Sequence, residues 1–283
     1  MDDPAAQWLQ VKGYGAIRAR QPVSGGCIGD VQRLQMEGGA SLILKSLSEP
    51  PANMFPAEAH GLSALAAEQA IRLPRVIHAE QHFILLEDLG TGRHSPGYWD
   101  SLGRQLASLH AATKPGFGFE MDNYCGETPQ SNGLMDDGYE FFAHRRLLCL
   151  GEQALRRKLL PADEMGKLEK LAGKLQQLIP PMPPVLIHGD LWSGNVHCDA
   201  NGEPALIDPA AYWGWAEAEL AMTTLFGGFH SRFYDSYEEA SGIDREWQQR
   251  APLYNLYHLL NHLLLFGGSY LGQVSSILSR YVD

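Results

Sequence analysis

Directly after the apolar run 185–187, the chain reads HGDLWSGN from His188 to Asn195, and a second apolar run then ends at Asp208. Kinase-type phosphoryl transfer needs a carboxylate to orient the attacking hydroxyl, and an amide oxygen and a second carboxylate to hold Mg²⁺. The spacing H-x-D-x-x-x-x-N, followed by an apolar strand ending in Asp, supplies all three. It predicts Asp190 as the catalytic base and Asn195 and Asp208 as the metal ligands.

A purely structural role is the alternative for each of these residues. Asp190 and Asn195 could be turn residues, and Asp208 could simply terminate a strand. The joint pattern, with an apolar strand on each side and the residues in the required order, favours the catalytic interpretation.

A glycine-containing segment in the first third of the chain is the candidate phosphate-binding loop. Gly25, Gly26 and Cys27 lie between two alternating apolar/polar runs, and Lys45 lies on the next one. Glycine lets backbone amides approach phosphate oxygens, and a lysine can neutralise their charge. An ordinary hairpin and a solvated strand lysine are the alternatives, because the segment spells neither G-x-G-x-x-G nor a Walker motif.

Two further positions are predicted to contribute to nucleotide binding. Glu58 lies on a predicted helix over 55–70 and could hold Lys45 by a charge-assisted bond, whereas Glu68, late on the same helix, better fits a solvated face. Glu87 and Leu89 lie where the predicted sheet ends, so their backbone groups could pair with the edge of an adenine.

The distribution of elements predicts an α+β, protein-kinase-like fold with two lobes. Strand patterns and one helix fill the first third, and mainly helical patterns fill the rest. Between them, residues 90–97 form a polar link. We therefore expect a nucleotide-binding lobe over 1–89 and a helical catalytic and substrate lobe over 90–283.

Composition narrows the classes of partner and the compartment. The formal net charge of −11 argues against nucleic acid, whose phosphates need a basic surface. No apolar stretch is long enough to span a bilayer, and no secretory leader is evident. The four cysteines are widely spaced and form no CxxC pair, which predicts reduced thiols in a cytoplasmic protein. Oligomeric state is left open.

With these residues in hand, the sequence resembles the fructosamine kinase (ketosamine kinase) family, within the aminoglycoside-phosphotransferase and choline-kinase group. HGDLWSGN and LFGGF are far more specific than the kinase skeleton. The matching motifs run through most of the chain: GGCI at 25–28, GFGF at 116–119, TPQSNG at 128–133, HGDLWSGN at 188–195, IDPA at 207–210, LFGGF at 225–229 and YHLLNH at 257–262.

The resemblance implies ATP- and Mg²⁺-dependent phosphorylation of the C3 hydroxyl of a ketosamine, the adduct formed when a sugar glycates an amine. The 3-phosphate is unstable and falls away, so the activity would serve as deglycation repair of a free or protein-bound substrate. Two rivals are a kinase for an aminoglycoside or choline-like amine, and a nucleotide-binding protein without catalysis. The specific motif disfavours the first, and the intact Asp190, Asn195, Asp208 and Lys45 disfavour the second.

Three residues are further candidates for contacts to the acceptor substrate. Trp192 could stack on the sugar or, equally, anchor the packing of the lobes. Glu217 lies in GWAEAEL at 214–220, where the family often has His, Arg and Asp at the second, third and sixth positions. His258 is spaced i, i+4 from His262. This spacing could bind a metal, but no third ligand is apparent, so buried or substrate-facing histidines are the favoured interpretation.

Overall fold

A five-stranded antiparallel sheet forms the N-terminal part of the computed structural model, which describes residues 3–23 and 29–282. The strand order is β1-β2-β3-β5-β4. The strands are β1 (Ile17–Pro22), β2 (Asp30–Met36), β3 (Ser41–Ser46), β4 (Val76–Ala79) and β5 (Phe83–Glu87). The apolar/polar runs of the sequence predict strands at 17–23, 31–36, 41–45, 76–77 and 83–86, and all five observed strands agree with these bounds to within two residues.

Alternation along β2 and β3 gives the sheet two different faces. Leu34 and Leu44 point to one face, where they are buried beneath helix α1 (Pro4–Val11). Val31 pairs with Lys45 on the opposite face. Helix α1 was not predicted, although the Asp3 carboxylate caps it by accepting from the Ala6 N–H and Pro4 begins it.

Helix α2 (Met54–Ala67) joins the sheet to the rest of the molecule. Its buried Leu62 and Leu65 belong to a hydrophobic core that also includes Ile84 and Leu86 of β5 and most of the buried apolar side chains of the helical part. This main core therefore extends across position 89. The division into 1–89 and 90–283 remains a proposal about the two lobes.

The helical part follows the link 90–97. The His197 Nε2 lies 2.6 Å from the Gly90 carbonyl oxygen at the start of this link. Its helices are α3 (Tyr98–Leu109), α4 (Gly138–Phe141), α5 (Cys149–Arg156), α6 (Ala162–Ala172), α7 (Leu175–Leu178), α8 (Ala216–Leu225), α9 (Ser231–Ser241), α10 (Trp247–Phe266) and α11 (Leu271–Val282), with a π-helix at Phe142–Leu148 and short 3₁₀ turns at Ser193–Asn195 and Gly268–Tyr270. None of the helices within the described residues is long and apolar enough to cross a membrane.

Three short two-stranded sheets accompany these helices. They pair β6 (Asn123–Cys125) with β7 (Thr128–Gln130), β8 (Val185–Ile187) with β11 (Tyr212–Gly214), and β9 (Val196–Cys198) with β10 (Pro204–Leu206). Strands β8 and β10 correspond to the two predicted apolar runs, whereas the other four were not predicted. The 3₁₀ turn between β8 and β9 carries the end of the HGDLWSGN segment, so these small sheets position the predicted catalytic residues.

Candidate active site

The segment from His188 to Asn195 forms a loop whose backbone is fixed from several sides. His188 is buried. Its Nε2–H donates to the Ile207 carbonyl at 2.8 Å, and its Nδ1 accepts from the Asp190 N–H at 3.3 Å. Burial lowers the pKa of His188, which favours this neutral tautomer. Gly189 has φ +81°, and a Cβ there would lie 2.2 Å from the Ala210 carbonyl oxygen. Glycine is therefore required at this position.

Glu219 is a site residue that the sequence reasoning noted only as a departure from the family. Its carboxylate is 1% exposed and accepts from the backbone N–H groups of His188 and Gly189. It thereby holds the start of the catalytic loop. The only signal in the sequence was its place one helical turn into α8, which does not reveal a partner thirty residues away.

Asp190 and Asn195 lie side by side at the end of this loop. The Asn195 Nδ2 donates to the Asp190 backbone oxygen at 2.8 Å and to its carboxylate Oδ2 at 3.1 Å. Burial raises the pKa of Asp190 to about 7 despite the hydrogen bond from Asn195, and the negative charges of Asp208 and Glu219 add to the rise. Both Asn195 amide hydrogens point to Asp190. The Asn195 Oδ1 accepts from no group in residues 3–23 and 29–282, so it is available to a cation.

Lys45, Glu58 and Asp208 form a second group opposite Asp190. The Lys45 Nζ lies 2.5 Å from a Glu58 carboxylate oxygen and 2.6 Å from Asp208 Oδ1. The predicted bond between Lys45 and Glu58 is present. Burial alone would lower the pKa of Lys45, but the attraction of Asp208 and Glu58 outweighs it and raises the pKa. Asp208 adopts φ +60°, an unfavourable conformation for a residue other than glycine, which directs its carboxylate from the end of β10 toward Lys45.

A cleft of about 340 Å³, here called the hinge cleft, lies between the sheet and the helical part. Its walls carry apolar side chains, including Val31, Ile43, Leu86 and Ile207, which could enclose a flat aromatic ring. Leu89 also lines it, and the Leu89 N–H has no hydrogen-bond partner in the described part of the chain. The apolar wall was not predicted, although the alternation of β2 and β3 could have indicated Val31 and Ile43.

The structure describes one of the remaining predicted nucleotide contacts, Glu87, but not the glycine-containing segment. The Glu87 side chain lines the hinge cleft but is bonded to Arg72 at 2.5 Å and to the Arg75 N–H at 3.1 Å. Its backbone N–H also donates to the Arg75 carbonyl at 2.9 Å, so the predicted adenine contact would use the Glu87 carbonyl oxygen. Gly25, Gly26 and Cys27 lie outside the described residues, so their predicted contact with phosphates stays a prediction.

A smaller pocket of about 100 Å³, here called the Asp190 pocket, adjoins the hinge cleft. Lys45 and Asp208 line both, so the two spaces meet at the charged group. Trp192 is half-buried in its wall, and a Cβ at Gly194 would collide with the indole at 2.3 Å. Asn123 and Tyr124 line this pocket and also an open groove of about 570 Å³ beside it.

Two of the predicted acceptor contacts need correction. Glu217 is 2% exposed and makes a two-pronged ion pair with Arg250, at 2.6 and 2.7 Å, and it also accepts from the Tyr254 hydroxyl. It serves packing between α8 and α10, so its prediction as a substrate contact is wrong. His258 is also buried, 5% exposed, with Nδ1 4.0 Å from Asp190 Oδ1. It lies behind Asp190 rather than in the pocket wall, and burial lowers its pKa to about 3.

Trp215, a departure from the family pattern at 214–220, also lies away from the pocket. Trp215 is 3% exposed and packs against Phe117, Phe142 and Tyr254 in the core. Its indole N–H donates to the Met182 carbonyl. A changed residue at 215 therefore alters the packing of the helical part rather than the lining of the pocket.

The molecule has a β-rich part and a helical part. A lysine–glutamate pair, an H-x-D-x-x-x-x-N loop and a second aspartate line the Asp190 pocket between them. This arrangement defines a phosphotransferase with a protein-kinase-like fold. Comparison with known proteins narrows this class. The fructosamine kinase family model matches residues 1–283, and the chain belongs to that family.

Three relatives illustrate this membership. A probable ketoamine kinase from Synechocystis sp. is 42% identical over 272 residues, covering 93% of this chain and 90% of that protein. The chloroplastic protein-ribulosamine 3-kinase of Arabidopsis thaliana is 35% identical, covering 99% of this chain and 88% of that protein. The crystal structure of a candidate fructosamine-3-kinase from Thermobifida fusca has a TM-score of 0.90 at 31% identity, covering 99% of both chains.

Proposed function

We propose that this protein transfers the γ-phosphoryl group of Mg²⁺·ATP to the C3 hydroxyl of a sugar ketosamine. The observation that carries the proposal is the convergence of Asp190, Asn195, Asp208 and Lys45 where the hinge cleft meets the Asp190 pocket. One space can accept a nucleotide and the other a small acceptor, and the charged groups lie between them. Family membership supplies the ketosamine substrate class.

The nucleotide would occupy the hinge cleft, with its base between the apolar side chains and its edge at the backbone of Glu87 and Leu89. Lys45, held by Glu58, would neutralise the phosphates at the inner end of the cleft. Gly25, Gly26 and Cys27 would cover the phosphates from the loop between β1 and β2.

The oxygen donors fit a hard divalent cation. Asn195 and Asp208 both line the Asp190 pocket, and their amide and carboxylate oxygens are the ligand chemistry that Mg²⁺ prefers. When bound, Mg²⁺ would neutralise charge on the transferring phosphoryl group. The strained backbone of Asp208 supports a ligand role, because such conformations persist where function needs the side chain in one direction.

Asp190 would orient the acceptor hydroxyl and take its proton as the new bond to phosphorus forms. The raised pKa of Asp190 suits a group that accepts a proton near neutral pH. Trp192 would contact the sugar from the pocket wall. The open groove at Asn123 and Tyr124 would let the amine side of the ketosamine, free or part of a protein, extend away from the site.

The direct test is ADP release with Mg²⁺·ATP across a panel of fructosamines, ribulosamines and erythrulosamines, on free amines and on glycated protein. We expect turnover with at least one ketosamine and none with its parent sugar or amine. NMR spectroscopy of the product should find the phosphate at C3. Turnover of an aminoglycoside or choline-like amine alone would contradict the assignment, and absence of turnover with every acceptor would favour the non-catalytic alternative.

We also propose a cytoplasmic site of action. The cysteines within the described residues, Cys125, Cys149 and Cys198, form no disulfide. Unpaired thiols are typical of a reducing compartment, and this is the observation that supports the proposal.

A further inference from the structure

A thiol, a carboxylate and an imidazole meet on the protein side of Asp190. Cys125 comes from the end of β6, Asp190 from the catalytic loop and His258 from α10, and their ligand atoms lie within 4.8 Å of one another. Cys125 is 3% exposed and His258 5%, whereas the Asp190 side chain is 22% exposed. The cluster is therefore enclosed by protein and opens to the pocket through Asp190.

The imidazole of His258 is not explained by packing or by the proposed reaction. Its Nδ1 is buried and has no hydrogen-bond partner among residues 3–23 and 29–282. The Asp190 Oδ1 is 4.0 Å away, too far for a direct hydrogen bond. A buried polar atom without a partner reduces stability, and such an atom in a native structure calls for a missing partner such as an ion.

We propose that Cys125, His258 and Asp190 form a binding site for a soft divalent cation such as Zn²⁺, distinct from the Asn195–Asp208 site. Thiolate and imidazole ligands favour zinc, whereas Mg²⁺ prefers oxygen ligands. Ligand atoms around tetrahedral zinc lie about 3.5 Å apart, so these side chains need to approach by about 1 Å. Asp190 Oδ1 faces His258 while Oδ2 accepts from Asn195, so the Oδ1 atom is available.

Binding changes protonation but involves no oxidation or reduction. The Cys125 S–H bond breaks, its proton goes to solvent and a zinc–sulfur bond forms, and any proton held by the Asp190 carboxyl group is released to solvent as its oxygen binds the cation. His258 binds through the lone pair of Nδ1 while Nε2 keeps the ring proton. A water molecule would complete the four ligands of the cation.

Occupation of this site would inhibit the kinase. A carboxylate bound to a cation cannot orient and deprotonate an acceptor hydroxyl, so zinc would remove Asp190 from the reaction. This inhibitory consequence rests on the proposed function, whereas binding itself does not. The two are therefore tested by separate measurements.

Binding is tested with Co²⁺, which gives a thiolate-to-metal charge-transfer absorption when a cysteine is a ligand. The background variant is Cys27→Ser, because Cys27 belongs to the predicted phosphate loop. We expect the absorption in this background and its loss on adding Cys125→Ser or Cys125→Ala. Cys149→Ser, which removes a half-buried thiol on α5, is the matched control and should keep it.

Affinity is tested with zinc-buffered titrations of the same proteins and of His258→Asn. Loss of an outer partner of a metal ligand typically weakens binding by about 10- to 100-fold, so removal of Cys125 or His258 should weaken it by at least ~10-fold. Circular dichroism identifies any variant that does not fold. Charge-transfer absorption that persists without Cys125, or that is absent from the background protein, would overturn the proposal.

Inhibition is measured at saturating Mg²⁺·ATP, with each variant normalised to its own rate without zinc. We expect the zinc concentration for half-inhibition to rise by at least ~10-fold in Cys125→Ser, in parallel with the binding data. If zinc inhibited the Cys27→Ser background and the protein that also carries Cys125→Ser at the same concentration, inhibition through this site would be contradicted. If the protein turned over no ketosamine but kept the cobalt signal, the metal site would stand and the proposed function would fail.

Discussion

Two buried ion pairs in this protein look alike locally but differ in what surrounds them. Lys45 lies at 2.5 Å from Glu58 and 2.6 Å from Asp208, and Arg250 lies at 2.6 Å from Glu217. The Lys45 group borders both the hinge cleft and the Asp190 pocket. The Glu217 carboxylate is buried between α8 and α10, where the Tyr254 hydroxyl also donates to it, whereas Arg250 is partly exposed.

Both groups pair their charges at hydrogen-bond distance, so they differ only in where they lie relative to the cavities. A charge that borders a cleft can exchange its partner for a ligand, whereas the buried Glu217 carboxylate lines neither the hinge cleft nor the Asp190 pocket. The Lys45 group should therefore affect turnover, and the Glu217 pair should affect stability. Four substitutions test this separation, from the largest expected effect on catalysis to the smallest.

The largest effect is expected from Asp190→Asn, which leaves the fold of the cleft but removes the proposed base. Turnover should fall by about 10³-fold, within the range typical of general base catalysis, while the Kd for ATP changes little. Steady-state kinetics measures the turnover, and calorimetry measures the Kd for ATP. Asp163→Asn, at an exposed position on α6, is the control. Turnover within tenfold of the wild-type rate would remove Asp190 from the mechanism.

Lys45→Met should lower turnover by about 100-fold, because it removes a charge that neutralises the phosphates in the transition state. It also leaves Glu58 and Asp208 facing each other without a cation. Lys170→Met, which changes an exposed lysine on α6, should be neutral. Equal rates for the two variants would mean that Lys45 is a structural cation, like Arg250.

Glu58→Gln should lower kcat/KM for ATP by about tenfold, which is equivalent to the loss of one charge-assisted hydrogen bond of about 1.5 kcal/mol. Lys45 retains Asp208, so the loss should appear mainly as weaker ATP binding. Glu68→Gln, late on the same helix, is the matched control. An unchanged KM for ATP in Glu58→Gln would show that Glu58 does not position Lys45.

Glu217→Gln should have the smallest effect on turnover, within about twofold for the folded protein. The change removes charge-assisted hydrogen bonds from Arg250, which stays partly exposed, so the free energy of unfolding should fall by about 1.5–3 kcal/mol. Denaturant unfolding monitored by fluorescence, together with turnover at 25 °C, separates the two. A large rise in the KM for the ketosamine, without destabilisation, would restore the prediction that Glu217 contacts the substrate.

The sequence was sufficient for the sheet, the catalytic loop and the Lys45–Glu58 bond, because each depends on local periodicity or on residue types in a fixed order. Glu217 was misassigned for a physical reason. The sequence shows a carboxylate in the first turn of a helix close to the metal-site segment, but not that Arg250 packs against it. Glu219 and Cys125 were missed for the same reason, because their partners are distant in sequence and lie on other elements.

The most direct test of the account is a crystal structure with Mg²⁺, a non-hydrolysable ATP analogue and a ketosamine. It should find the base in the hinge cleft, the metal bound by Asn195 and Asp208, and the C3 hydroxyl of the sugar within hydrogen-bond distance of Asp190. A nucleotide bound elsewhere, or a metal that contacts neither residue, would contradict the assignment of this cleft as one catalytic centre.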